Sequence, residues 1–384
     1  MKKKLVSLLT VSAMTMSMLA GCGASGSQPA APSSEPAAEA SKEEAKADTA
    51  TDAATDAATA AESVAETATA EAGNADLADK KVGVCIYQFA DNFMTLFRTE
   101  LENYLIAQGF TKENITIVDG ANDQATQTNQ IQNFITQGVD VLIINPVNSS
   151  SAATITDQVV GANIPLVYIN REPDADEEAR WDSNGWDVTY VGCDARQSGT
   201  MQGEILVDMG QEKIDLNKDG KIQYIMIEGD PENVDAQYRT EFSVKALEDA
   251  GWTVDELDDQ VGMWDQATAQ QLVANSLSAH PETEVVFCNN DAMALGALQS
   301  IEAAGRKVNE DIYLVGVDAL TEALEDVIAG KMTGTVFNDH IAQSHGAADA
   351  AINYLTGAGN DHYIGCDYVK VTTDNAQSVL DSLK

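Results

Sequence analysis

The sequence predicts an α/β protein of two doubly wound, parallel-sheet lobes, and three observations lead there. Short β-branched runs alternate with stretches of helical apolar spacing from residue 79 onward. The runs are apolar almost throughout instead of alternating, as expected of strands covered on both faces. About nine strand–helix units occur, more than one short-looped open sheet comfortably holds, so two such domains are expected.

Taken in order, the chain opens with Lys2, Lys3 and Lys4, then an apolar stretch at 5–20 ending in Leu19-Ala20-Gly21-Cys22. The stretch is short for a membrane span but suits an export signal. The four closing residues look like a bacterial lipoprotein cleavage box, so residues 1–21 are expected to be removed and Cys22 to carry the lipid. Residues 22–78 then form a tether rich in Ala, Glu, Asp, Ser and Thr, with TDAATDAATA as a near-repeat and no aromatic residue. Such a composition cannot bury enough surface to offset its chain entropy, and its acidic excess extends it.

The strand runs follow at 81–89, 114–120, 139–147, 164–170, 188–194, 221–230, 284–290, 312–318 and 333–339. Helical spacing fills most gaps, as from Phe93 to Gln108 and from Ala125 to Gln137. The 384-residue chain carries 22 Lys+Arg against 61 Asp+Glu, a net charge of −39, which disfavours nucleic acid and anionic lipid as direct partners. Cys85 and Cys288 lie in apolar strands, and with no C-x-x-C or Cys/His cluster neither a cysteine metal site nor a redox pair is expected.

Many strands end in a planar polar residue: Asp91 just past the first, then Asn145, Asn290, Asp318 and Asn338. Ligands of open parallel sheets bind outside the carboxyl ends of strands. Facing lobes would therefore line one cleft with groups that both donate to and accept from hydroxyls, a chemistry suited to a sugar. No dinucleotide fingerprint, P-loop or nucleophile elbow stands at a strand–helix junction, and His280, His340, His345 and His362 accompany no nucleophile, so no enzyme is expected.

The motifs IYQFADNFM (86–94), NDQATQTNQI (122–131), IINPV (143–147), NREP (170–173), LNKDGKIQ (216–223), MWDQATA (263–269), CNNDAMALGA (288–297), GVDAL (316–320) and GTVFND (334–339) occur in an order that resembles the periplasmic galactose/glucose-binding proteins. These belong to the ribose-binding-protein-like receptors of sugar ABC importers. The resemblance implies a type I periplasmic binding protein, two Rossmann-like lobes joined by a three-strand hinge and closing over one pyranose. The lobes implied are 79–163 plus 339–371 and 164–338 plus 372–384. It implies that Asp91 bonds the sugar's 4-hydroxyl, that Phe93 and Trp264 stack on its two faces, and that Asn145, Asp235, Arg239, Asn290, Asp318 and Asn338 hold the remaining oxygens. Asn233 stands where the family has histidine. It can donate as imidazole does but is shorter, which leaves galactose, glucose and another monosaccharide such as xylose open. Repressors that share the fold need an N-terminal DNA-binding motif, and here that place holds the signal and acidic tether.

Residues Asp215, Asn217 and Asp219 occupy positions 1, 3 and 5 of a calcium-type loop, with Gly220 at the turn, the Lys221 carbonyl at position 7 and Gln223 at position 9. Position 12 is Met226, so no ordinary EF-hand is present; the resemblance implies that Glu284 closes the site around a structural Ca²⁺. The partners implied are a monosaccharide, the permease subunits of an ABC importer or a membrane sensor, and the membrane itself through Cys22, with the receptor acting as a monomer.

Overall fold

A computed structural model describes residues 77–384. The signal, Cys22 and the tether, except for its last two residues, lie outside the described residues. The chain begins with β1 (Val82–Ile86), α1 (Asn92–Gln108), β2 (Ile115–Asp119), α2 (Gln124–Gln137), β3 (Val141–Ile144), α3 (Ala152–Gly161), β4 (Leu166–Ile169), α4 (Ala175–Asn184) and β5 (Val188–Gly192). It continues through α5 (Ala195–Met209), α6 (Gln211–Ile214), β6 (Lys221–Glu228), α7 (Val234–Asp249), β7 (Thr253–Val261), α8 (Gln266–Ala279), β8 (Val285–Cys288), α9 (Asp291–Ala303), β9 (Tyr313–Val315), α10 (Thr321–Ile328) and β10 (Thr335–Phe337). It closes with α11 (His340–Thr356), β11 (Tyr363–Gly365), β12 (Val369–Val371) and α12 (Ala376–Ser382).

Two parallel sheets result, ordered β11-β5-β4-β3-β1-β2 and β7-β6-β8-β9, with a small antiparallel pair β10-β12 beside them. Period-2 alternation explains why each sheet is covered twice. Val82, Val84 and Ile86 pack into one layer and Cys85 into the other; Ile225 and Ile227 divide likewise from Tyr224 and Met226. Helix starts are set by side-chain caps, with Asp123 accepting from Thr126 N at 2.6 Å and Asp265 from Thr268 N at 2.7 Å. Left-handed glycines Gly109, Gly138, Gly185 and Gly357 end four of the helices.

The sheets correct the expected lobe boundary. β4 and β5 pair in register with β3 and with each other, so the first lobe runs on past residue 163 to about 193. Their residues are buried on both faces and could not be left at a sheet edge. The chain then crosses to the second sheet, returns after β10 for α11 and β11, and crosses again before β12. The last stretch of the expected first lobe also moves, because Tyr368 and Val371 join the second lobe's core. Helix α12 packs on α10 through Ala376 and Leu380, as expected of 372–384. Three crossings make the hinge. Among the described residues no helix is long and apolar enough to cross a membrane.

Candidate functional site

A cavity of about 320 Å³ including its mouth opens between the lobes. It is lined by Tyr87, Asp91, Phe93, Asn170 and Arg171 from the first lobe, Asn233, Asp235, Arg239, Trp264, Asn290 and Asp318 from the second, and Asn338 at a crossing. Nine of the ten expected sugar residues are thus brought together. All follow the carboxyl end of a strand, where parallel sheets present loops and helix N-termini.

Several residues cap a helix with one atom and face the cavity with the rest. Asp91 Oδ1 accepts Met94 N at 2.7 Å and fixes the start of α1, while Oδ2 accepts the Tyr87 hydroxyl at 2.6 Å. Asn233 Oδ1 accepts Asp235 N at 3.0 Å, and Asn290 Oδ1 accepts Met293 N at 3.0 Å. The amide nitrogens of both asparagines stay available as donors.

Arg239 is the centre of the second wall. It lies one helical turn after Asp235, and its Nη1 donates to the Asn289 carbonyl at 3.0 Å and its Nη2 to the Tyr368 hydroxyl at 3.2 Å. Asp235 stands 3.7 Å and Asp318 4.0 Å from its guanidinium, close enough for attraction but not for hydrogen bonds. Burial therefore dominates both carboxyls: Asp235 is pushed up to about 6 and Asp318 to about 7, with Arg239 pulling each down. Three buried polar atoms on this wall have no partner in the protein: Asp235 Oδ1, Arg239 Nε and Trp264 Nε1. A ligand bearing hydroxyls can complete all three.

Backbone strain places two of these side chains. Trp264 has φ +64° and Asp318 φ +119°, conformations that L-residues seldom adopt. The indole is fitted against Gly229, where a Cβ would stand only 2.2 Å from the ring.

Asn145 is the expected residue that does not reach the cavity. It is wholly buried, with Oδ1 accepting Tyr87 N at 3.2 Å and Nδ2 donating to Ile169 O at 3.2 Å and Asn170 Oδ1 at 3.1 Å. Its amide ties β1 to β4 and orients Tyr87 and Asn170, which do line the cavity. Tyr87, Asn170 and Arg171 were not expected, although IYQFADNFM and NREP contain them. Arg171 lies over the Tyr87 ring at 3.8 Å, donates to the Val147 carbonyl and pairs across the lobes with Asp230 at 3.3 Å.

Away from the cavity, the 215–223 loop and Glu284 come together. Glu284 accepts Leu216 N at 2.6 Å, Asn217 N at 3.1 Å and Gln223 N at 3.1 Å. Asp215 accepts Asp219 N and Gly220 N, and Asp219 Oδ2 accepts the Asn217 and Gln223 amides. The Lys221 side chain turns away to Asp255 at 3.0 Å. Among the described residues no three acidic, His or Cys side chains form a metal cluster by themselves. The donor set fits a hard cation only with amide and carbonyl oxygens included, which a half-turn of each amide supplies.

Residues 82–359 match the family described as periplasmic binding protein domain. The D-galactose/methyl-galactoside binding periplasmic protein of Haemophilus influenzae is 34% identical over 326 residues, 82% of this chain and 96% of the relative. A putative rhizopine-binding protein of Rhizobium meliloti is 32% identical over 77% of this chain and 90% of its own length. Among solved structures, an ABC transporter solute-binding protein of Bacillus halodurans with bound myo-inositol superposes with a TM-score of 0.70 at 28% identity, covering 80% of this chain and 99% of that one. The chain belongs to the periplasmic binding protein family, extracytoplasmic solute receptors and not enzymes, in the group that includes the galactose- and ribose-binding proteins.

Proposed function

We propose that this protein captures one neutral monosaccharide, D-galactose or D-glucose first, by closing its lobes, and delivers it to the permease of an ABC importer. The observation that carries the reading is the cavity itself. It is a small space between the lobes, about 320 Å³ with its open mouth included, walled by polar and aromatic side chains of both lobes. Phe93 from one lobe and Trp264 from the other supply apolar faces for the C–H patches of a pyranose. Three carboxylates, four amides and two guanidiniums supply hydroxyl partners in both directions. Sugar bridging both lobes favours the closed form, because only that form makes both sets of contacts. The galactose-binding relative supports the choice of hexose; Asn233 in place of histidine is the residue that would retune it. In this reading Cys22 carries the lipid, the acidic tether lets the single receptor reach outward, and a membrane sensor is the alternative recipient of the closed form.

Titration calorimetry of the full chain with D-galactose, D-glucose, D-xylose and D-ribose tests this. Single-site binding of a hexose is expected; binding of a pentose alone would remove the hexose assignment.

We also infer a structural Ca²⁺ held by Asp215, Asn217, Asp219, the Lys221 carbonyl, Gln223 and Glu284. The ion's two positive charges would offset most of the charge of the three carboxylates and lock the loop that leads into β6. Adding Ca²⁺ to chelator-treated protein should raise its thermal midpoint, by the equivalent of about 2.7 kcal/mol at a hundredfold excess over Kd. An Asp219→Ala variant should lose that response, and an unchanged midpoint in the parent protein would exclude the ion.

A further inference from the structure

Two cysteines stand together on the hinge. The pairing of β5 with β11 runs Tyr190 with Tyr363, Val191 with Ile364 and Gly192 with Gly365. The next step of the same register sets Cys193 beside Cys366, and Cys366 N donates to the Gly192 carbonyl at 2.9 Å. Neighbouring strands lie about 4.8 Å apart, and disulfides span Cα separations of roughly 4.4–6.8 Å. In-register neighbours also put their side chains on one face. Both cysteines follow a glycine and both sit where the chain leaves the first lobe, one before α5 and the other before β12.

Their surroundings differ. Cys193 is buried, in the same core as Tyr368. Cys366 is partly exposed and opens on a surface groove formed with Glu172, Asp194, Arg196, Gln197 and Tyr363. Receptors of this family work outside the cytoplasm, where disulfides persist.

We propose that Cys193 and Cys366 form a redox pair whose disulfide ties two of the three crossing segments of the hinge. The oxidant class is a low-molecular-weight disulfide entering by the groove. The Cys366 thiolate attacks one sulfur of that disulfide and releases one small thiolate. The Cys193 thiol then loses its proton and displaces the second small thiolate from Cys366. Two protein thiols and one small disulfide thus become one protein disulfide and two small thiols. The influence of each thiol on the other supports this order, holding Cys366 below and Cys193 above the ordinary thiol range.

The test uses the full chain carrying Cys22→Ser as the parent, reduced, freed of reductant and incubated with oxidised glutathione. Expected are the loss of two thiols, one linked peptide joining Cys193 to Cys366, and an upward shift of the thermal midpoint that dithiothreitol reverses. A Cys193→Ser variant should stop at glutathione on Cys366, whereas Cys85→Ser should link as the parent does. Stable glutathione adducts on the parent protein, no loss of thiols, or linkage through another cysteine would each overturn the proposal. The readout needs no sugar, so a failed sugar titration leaves it standing, and its own failure leaves the sugar reading untouched.

Discussion

The two walls of the cleft carry similar residues in opposite states of satisfaction. On the first wall, both oxygens of Asp91 are engaged, the Tyr87 hydroxyl has its acceptor, and Arg171 has a carbonyl and a carboxylate. On the second wall, Asp235, Arg239 and Trp264 each keep a buried polar atom without a partner. A satisfied wall is a template that stands with or without ligand. An unsatisfied one is held at a desolvation cost that an incoming hydroxyl relieves. The second wall is therefore expected to supply the larger share of the free energy that favours closure.

The largest effect is expected from Arg239→Ala. It removes the central donor and takes from Asp235 and Asp318 the cation that acts on them most, so hexose affinity should fall by at least about a hundredfold, with a lower thermal midpoint. The matched first-wall change, Asp91→Asn, keeps the helix cap and should weaken binding only about tenfold by calorimetry. If Asp91→Asn proves as damaging, the contrast between the walls is wrong.

A smaller effect sharpens the comparison. Gly229→Ala places a methyl where the Trp264 ring now lies. Tryptophan fluorescence should shift and affinity should drop by roughly tenfold or less, in keeping with about 1 kcal/mol of lost ring contact. The first wall, and any sugar contact made there, should be unchanged.

The smallest effect is expected from pH. Protonated Asp318 and Asp235 accept fewer hydrogen bonds, so affinity should decline as pH falls from 8 through about 7 and about 6. Stability of the free protein carries the opposite sign. Folded pKa values raised above the unfolded carboxyl range mean that this contribution is complete below that range and is lost as pH rises through about 6 and about 7. The difference in thermal midpoint between Asp318→Asn and the parent should therefore widen toward alkaline pH. A constant difference would show that Asp318 does not titrate there.

Much of this was legible because buried parallel strands write themselves as unbroken apolar runs: each of the nine expected runs contains a strand. Strand β7 was not legible, since Thr253–Val261 is polar and half-exposed at an edge, where backbone pairing to β6 overrides composition. The strand-end rule located most of the cavity but failed at Asn145, whose pattern matches its neighbours. Its direction is decided by the backbone of β1 and by Asn170, partners distant in sequence. Arg171 escaped notice for the same reason, as its carbonyl and carboxylate partners come from other segments.

The edge strand missed by composition has a consequence of its own. β7 presents Asp255, Glu256, Asp258 and Asp259 along the free margin of the second sheet. Burial and the neighbouring Glu228 already push Asp259 up to about 7, so negative charge there is crowded. A second copy approaching margin to margin would have to press its own carboxylates against these before any ladder could form. The sheet is thereby protected against margin-to-margin polymerisation.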